Sequence, residues 1–458
     1  MVGASFLVKL QHFSLRIVEL SPSLLEAPLK LNRAFHTAKL QHHPYHSEET
    51  LSSPEPKSRV IKPESHPTLK RRHSASGSSR ETVELDSGLE SRLRETYGPR
   101  TARVLSAMTA IPSKYYLRIN ALKAERDAII RSMIANGLNA EAHVHLDDAA
   151  SLHPSASKIE TDSIIVEANR FAAEAVQLGA HLYAPGVKRC HGLRPGMKVT
   201  VVDEGGTAVG SGVSHQSETS ILTYRQGVAV EIKNSRTGLP SIMETPWYSD
   251  GQIHLQSLPA ILTSHILDPK PGETIVDLNC APGGKTSHIA QLTRNKARII
   301  GFDRNERKVQ KAKELMQRMG CANYQLISHD SRYVHRDYNI KADRVLVDPP
   351  CTALGIIPKL ALETTAQNVE NSADYQKQFL TTASHLTKKD GTIVYSVCTI
   401  TKEECEDVVG FAEKELGLTL EKQRPVLGEN GFDRDRLTQR FNPDAHETGY
   451  FIARFVKN

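Results

Sequence analysis

No uninterrupted apolar run in the 458-residue chain approaches the roughly 20 residues needed to cross a bilayer, which predicts a soluble protein without a membrane anchor. None of the six cysteines (Cys190, Cys280, Cys321, Cys351, Cys398 and Cys405) forms a C-x-x-C pair. Zinc-ribbon and dithiol redox chemistry therefore have no ligand pattern, and no metal is expected. Scattered thiols fit a reducing compartment, the cytoplasm, and leave single cysteines free to react. The net charge of +6 is also less than it looks. Residues 1–84 hold 12 Lys/Arg against 8 Asp/Glu, leaving 46 basic and 44 acidic residues in the rest, so overall charge does not argue for nucleic-acid binding.

Residues 1–82 lack sustained apolar periodicity and are rich in His, Ser, Pro and Lys/Arg, as in HHPYHSEETLSSPEPKSRV, so this segment is expected to be disordered. Its first 46 residues carry Lys9, Arg16, Lys30, Arg33 and Lys39 against Glu19 and Glu26. They loosely resemble a transit peptide, which makes mitochondrial targeting the alternative to a cytoplasmic protein.

Residues 83–157 read as a small α+β unit. LESRLRETYG and KAERDAIIRSMIANG have helical periodicity, with Ile129, Ile130, Met133 and Ile134 as an apolar stripe, and YYLRIN alternates like a short strand. Residues 158–240 change to short strands broken by Gly and Pro (SIIVEA, HLYAPGV, KVTVVDEGG, TAVGSGVS, GVAVEI), interrupted by one helix, FAAEAVQLGA. A small β-barrel follows. From 241 to 458, β-branched apolar runs (TIVDL, ARIIGFD, YQLISHD, DRVLVD, GTIVYSV) alternate with helical segments. That is the pattern of a Rossmann-like, doubly wound α/β domain, whose ligand binds at the carboxyl ends of the strands.

The first of these strands ends at Asp277 and runs into LNCAPGGKTSHIAQL. Gly283 and Gly284 let the backbone approach a ligand, and the helix amino terminus favours a carboxylate. A phosphate loop would need glycine at 279, where the chain has Asn279, so nucleotide hydrolysis is not indicated. Asp303 and Asp330 close the second and third strands, placed to accept from ribose hydroxyls and from an adenine amino group. Each alone reads as a helix cap. Together beside a Gly-Gly turn they point to an adenosine-bearing ligand.

The fourth strand delivers Asp348-Pro349-Pro350-Cys351 and the fifth Tyr395-Ser396-Val397-Cys398-Thr399, so two thiols emerge at the ligand edge. A lone strand-end cysteine is usually a small buried hydrophobe; two on neighbouring strands are not so easily dismissed. Carbon 5 of cytosine is a poor nucleophile until a thiolate adds at carbon 6 and makes it enamine-like. Asp348 is placed to hydrogen-bond the pyrimidine edge, and Lys285 to favour a thiolate.

NCAPGGKT, GFDRNERK, the Asp330 segment, DPPCT and YSVCTI resemble the successive motifs of the RNA 5-methylcytosine methyltransferases, the NOL1/NOP2/Sun family, over residues 84–458. The resemblance implies S-adenosyl-L-methionine as cofactor, Cys398 as nucleophile and Cys351 as the cysteine that assists product release. It also implies that Cys280, Ala281, Pro282, Gly283, Gly284 and Lys285, with Asp303, Asp330 and Asp348, line the cofactor and active sites. The chain departs from the usual spelling in having Pro349 where Ala is common and Val397 where Thr often stands. Neither change removes a reactive group. A DNA-type enzyme would use the thiol equivalent to Cys351, so the order of roles rests on the resemblance.

The 158–240 segment resembles a PUA domain, an RNA-binding barrel, and its position is similar to that in the NSUN6-like subfamily. That implies a transfer-RNA substrate modified near its acceptor end, with Tyr183 stacking on a tail base and Lys188 and Arg189 holding phosphates, the protein acting as a monomer. Ribosomal or messenger RNA is the alternative. An adenine amino-methyltransferase would carry an aromatic ring where Cys351 stands and would give Cys398 no task. A degenerate, non-catalytic RNA-binding protein would not need Asp303, Asp330, Asp348, Cys351 and Cys398 all intact.

Overall fold

The computed structural model describes residues 85–155, 157–432 and 437–458; the histidine- and serine-rich extension and its transit-peptide-like start lie outside them. The described chain opens with the helix Ser87–Tyr97, whose first turn is capped by Asp86, its carboxylate accepting from Leu89 N at 3.0 Å. This helix and the next, Thr101–Met108, bury Leu89, Leu93, Tyr97, Val104 and Met108 against Leu354, Val369 and Ile400 of the doubly wound α/β domain. The two helices therefore pack with the core of that domain, not with the small unit beside which they sit in sequence.

Three short strands follow, β1 (Tyr115–Ile119), β2 (Ala140–Ala142) and β3 (Ala149–Leu152). The helix Arg126–Ala135 lays Ile129, Ile130 and Met133 on them. Ile134, grouped by sequence with that stripe, lies in the last turn and is 55% exposed. The chain then builds the barrel segment from β4 (Ile165–Ala168), β5 (Leu182–Tyr183), β6 (Val187–Cys190), β7 (Lys198–Val202), β8 (Ala208–Ser214) and β9 (Val228–Ser235). Their order is β5-β9-β8-β7-β4-β6, around a core that includes Val166, Val199, Val209 and Val230. On leaving it, β10 (Ile253–Leu255) pairs antiparallel with β1, Leu117 facing Leu255. The small α+β unit is thus assembled from stretches on both sides of the barrel, a non-local pairing that periodicity could not reveal.

The doubly wound α/β domain contains β11 (Thr274–Asp277), β12 (Arg298–Asp303), β13 (Tyr324–Ser328), β14 (Ala342–Val347) and β15 (Thr387–Val397), then β16 (Leu418–Leu420), β17 (Glu429–Asn430), β18 (Gln439–Phe441) and β19 (Tyr450–Lys457). The first five pair in parallel in the order β13-β12-β11-β14-β15, and β19 adds antiparallel to β15. Helices cover both faces. Their apolar stripes, with the β-branched strand residues, form two cores, one around Val276, Val345, Ile393 and Phe451 and the other around Ile275, Ile299, Leu346 and Ile452. Strand order reverses between β11 and β14, and a ligand crevice opens where connections diverge at such a point. Among the described residues no helix is long and apolar enough to cross a membrane.

Candidate active site at the strand ends

From β11 the backbone turns through Leu278–Gly283 into the helix Gly284–Leu292. Asp277 serves the turn itself: Thr286 Oγ1 donates to it at 2.7 Å and Asn279 N at 3.1 Å, and burial pushes its carboxyl up to about 6. Gly283 sits at φ +104°, a conformation that only glycine adopts without strain, and a Cβ there would press on Leu315 at 3.2 Å. Behind the helix, the fully buried Arg118 of β1 donates to Gly284 O and Ser287 Oγ, both at 2.8 Å. His265 and His288 both face Asp148, at 2.9 and 2.6 Å. The small α+β unit therefore braces the helix that presents the turn.

Two cavities meet here. One, of about 160 Å³, is walled by Gln256, Asp277, Asn279, the turn from Cys280 to Lys285, and Asp348. The other, of about 210 Å³, is walled by Asn279, Asp303, Asp330, Ser331, Tyr375 and Phe379 among others. Asn279 belongs to both, and its Oδ1 is buried without a hydrogen-bond partner. The donor set fits S-adenosylmethionine. The helix amino terminus suits a carboxylate, Asp303 suits a ribose diol, and the edge-to-face pair Tyr375 and Phe379, 4.8 Å between centroids, offers an apolar wall to a purine. Asp330 is less free than the sequence implied. Arg332 grips both its oxygens, at 3.0 and 2.6 Å, which holds its carboxyl below the usual range and leaves only its remaining lone pairs for a ligand.

Cys351 and Cys398 come together with their sulfurs 3.4 Å apart. Either thiol can donate in this contact; the hydrogen bond with Cys351, with the cation of Lys285 nearby, lowers the Cys398 thiol against the opposing effects of burial and Asp348. The same bond, together with burial and the charge of Glu404, raises Cys351 well above the ordinary range. In Cys190, Cys280, Cys321 and Cys405 burial raises the thiol, so Cys398 is the one cysteine of the six biased toward the thiolate. Each thiol also opens into its own cavity. Cys398 lines one of about 240 Å³ with Tyr115, Gln256, Ile356, His446 and Tyr450, and Cys351 lines one of about 370 Å³ with Phe171, Thr352, Lys359 and Asn368.

Between the thiols and the cofactor turn stands Asp348. Lys285 Nζ lies 2.7 Å from its Oδ2, while Ser396 Oγ and Tyr450 OH donate to its Oδ1 at 2.7 and 3.3 Å. Burial opposes the charge on Lys285, but Asp348 outweighs it and holds the ammonium protonated well above the usual lysine range. Sequence reasoning brought together Cys351, Cys398, Asp348 and Lys285 and missed Ser396 and Tyr450. Ser396 was legible as an inward residue two before the nucleophile; Tyr450 comes from β19, about 50 residues further on, and carried no local signal.

The barrel residues are a different matter. Tyr183 is 51% exposed on β5, as a stacking residue must be. Lys188 Nζ is 3.0 Å from Glu204, and Arg189 Nε donates to Glu167 at 2.6 Å, so both cations already have acidic neighbours. None of the three lines either thiol cavity. The barrel instead reaches those cavities through its helix, Arg170–Val176, and the turn that follows it. Phe171, 67% exposed with the Arg170 guanidinium 4.4 Å from its ring centroid, enters the Cys351 cavity, and Leu178 the Cys398 cavity.

Comparison with known proteins bears on the same regions. Residues 264–456 match the family described as 16S rRNA methyltransferase RsmB/F, and residues 164–235 match the PUA domain. The chain is 37% identical over 349 residues to the tRNA (cytosine(72)-C(5))-methyltransferase of Pyrococcus horikoshii, covering 75% of this chain and 89% of the relative. It is 30% identical to the human tRNA (cytosine(72)-C(5))-methyltransferase NSUN6, covering 62% and 73%. In three dimensions it resembles the crystal structure of NSun6 from Pyrococcus horikoshii with SFG, an S-adenosylmethionine analogue, with a TM-score of 0.73 over 81% of this chain and 98% of that one, at 34% identity.

Proposed function

Since the chain belongs to the RsmB/F (NOL1/NOP2/Sun) family of S-adenosylmethionine-dependent RNA cytosine-5 methyltransferases and carries a PUA domain, we propose that it methylates a cytosine near the acceptor end of transfer RNA through a covalent bond from Cys398 to carbon 6. The observation that carries this reading is the pair of sulfurs 3.4 Å apart beside a carboxylate and a cofactor turn.

In this reading the target base enters the cavity on the Cys398 side, and the Cys398 sulfur bonds to carbon 6 while the ring electrons shift toward carbon 5. Asp348, fixed by Lys285, Ser396 and Tyr450, meets the pyrimidine edge and stabilises charge as it develops. Bound S-adenosylmethionine supplies the methyl group that carbon 5 takes up. Loss of the carbon 5 proton and cleavage of the carbon–sulfur bond then return the ring to aromaticity, with Cys351 assisting that release. Tyr183, Lys188 and Arg189 are assigned to the single-stranded tail, the last two exchanging acidic partners for phosphates. The enzyme is taken as a monomer, and its six unpaired cysteines suit the cytoplasm.

The substrate assignment is tested by methylating transfer-RNA transcripts with and without an intact CCA end. Strong preference for the intact end is expected; equal rates would remove the acceptor end from the reading and leave ribosomal or messenger RNA as substrate.

A further inference from the structure

Glu404 is fully buried six residues after Cys398 and takes no part in the chemistry derived above. Its surroundings are specific. Oε1 accepts from Thr352 N at 2.9 Å and Gln376 Nε2 at 3.0 Å; Oε2 accepts from the hydroxyls of Thr352, Thr399 and Thr401 at 2.5, 3.1 and 3.0 Å. Thr352 directly follows Cys351 and Thr399 directly follows Cys398, and their hydroxyls lie 2.8 Å apart. Gln376 also donates to Pro350 O at 3.2 Å, and Tyr395 OH to the Glu404 carbonyl at 2.6 Å. Since Thr352 and Thr399 have one hydroxyl proton each and also touch one another, at least four donors converge on the roughly four lone-pair sites of the carboxylate, and no acceptor capacity is left for substrate or cofactor. A carboxyl group buried at this cost is retained where geometry depends on it.

We propose that Glu404 is the positioning residue of the thiol pair: it ties the loop of Cys351 to the loop of Cys398 and, by its buried negative charge, keeps the proton on Cys351 so that Cys398 is the sulfur free to attack. The inference rests on the reading of Cys398 as nucleophile. Among titratable groups, Cys351 faces Cys398, Glu404 and Tyr395, and Cys398 faces Cys351, Asp348 and Lys285. Of these, Glu404 is the carboxyl group on the Cys351 side, and its removal affects Cys351 first.

The test is Glu404→Gln in the full chain. The glutamine oxygen can take the place of Oε1, and two of the three hydroxyls can turn to accept from its amide, so shape is kept while the charge is lost. Alkylation of each cysteine by iodoacetamide across pH, read by peptide mass spectrometry without RNA or cofactor, reports the thiols directly. The parent should react first at Cys398. In Glu404→Gln the Cys351 midpoint should fall by about one pH unit or more, and the preference for Cys398 should narrow. Methyl-transfer kcat should fall on the order of 10²-fold, as for a small displacement of reacting groups, with KM for RNA and cofactor unchanged. Unaltered alkylation profiles in folded Glu404→Gln would overturn the proposal, as would a loss that appears only in KM. Should that variant not fold, Thr399→Val removes one tether and keeps the carboxyl group, so kcat should fall with KM unchanged while Cys398 still reacts first; an unchanged kcat there overturns it equally. Because alkylation needs no substrate, a wrong RNA assignment would leave this test intact.

Discussion

Replacing Lys285 by Met removes the cation 2.7 Å from Asp348 while nearly preserving volume. The pair is mostly buried, with side-chain exposures of 15% and 28%, so removing one partner strands the other in a poorly solvated place. Breaking such a pair costs about 3–5 kcal/mol. The lower end is expected, because Ser396 and Tyr450 hydroxyls still donate to the stranded carboxylate. Asp348→Asn strands the ammonium instead and should cost a similar amount. The double variant leaves neither charge alone, so its loss should fall short of the summed single losses by about 2 kcal/mol, well beyond the ~0.5 kcal/mol within which independent sites add. Urea denaturation of the parent, both singles and the double, without cofactor, measures this. Additive losses would show that the contact does not couple the two groups and would refute the claim that Lys285 fixes Asp348. The same Lys285→Met protein should alkylate Cys398 at higher pH than the parent, since the lysine cation helps lower that thiol.

Three further outcomes follow from other parts of the structure. Asp303→Ala should weaken S-adenosylmethionine binding by about 10-fold or more, the loss of hydrogen bonds from a charged acceptor, and leave RNA affinity unchanged; calorimetry with each ligand separates the two. Phe171→Ala should raise the RNA KM by about 5-fold or more if a base stacks on that exposed ring, and an unchanged KM would remove the barrel helix from the RNA path. Acid should destabilise the fold between about pH 6.5 and 3. Burial holds His288 down at about 3 in the folded protein, so the unfolded chain binds that proton first as pH falls, and stability present above the unfolded value is lost below it. Asp148, held low by its histidine partners against burial, adds to the loss below its own unfolded value. A melting temperature that does not fall over that range would contradict this account of the cluster.

The parallel strands and the residues at their tips were readable in sequence because each strand is a contiguous β-branched run whose last residue must face the crevice. Asp303, Asp330, Asp348, Cys351 and Cys398 all stand there. What sequence could not supply was contact between distant segments. β10 joins a sheet formed more than 100 residues earlier, Tyr450 reaches Asp348 from an antiparallel edge strand, and Glu404 gathers two loops that are adjacent only in space. Lys188 and Arg189 looked like free cations in sequence because their partners, Glu167 and Glu204, lie on other strands and turns of the barrel. Phe171 opens the one helix legible in the barrel segment, and nothing in the sequence shows that it presents its ring to a cavity beside Cys351.

The central claim is a carbon–sulfur bond from Cys398 to the target cytosine. Cys351→Ala protein incubated with cofactor and substrate RNA should accumulate a complex that survives denaturation, with peptide mapping placing the nucleotide on Cys398, while Cys398→Ala should give none and no methyl transfer. An adduct that instead builds up in the Cys398 variant, attached to Cys351, would contradict the account.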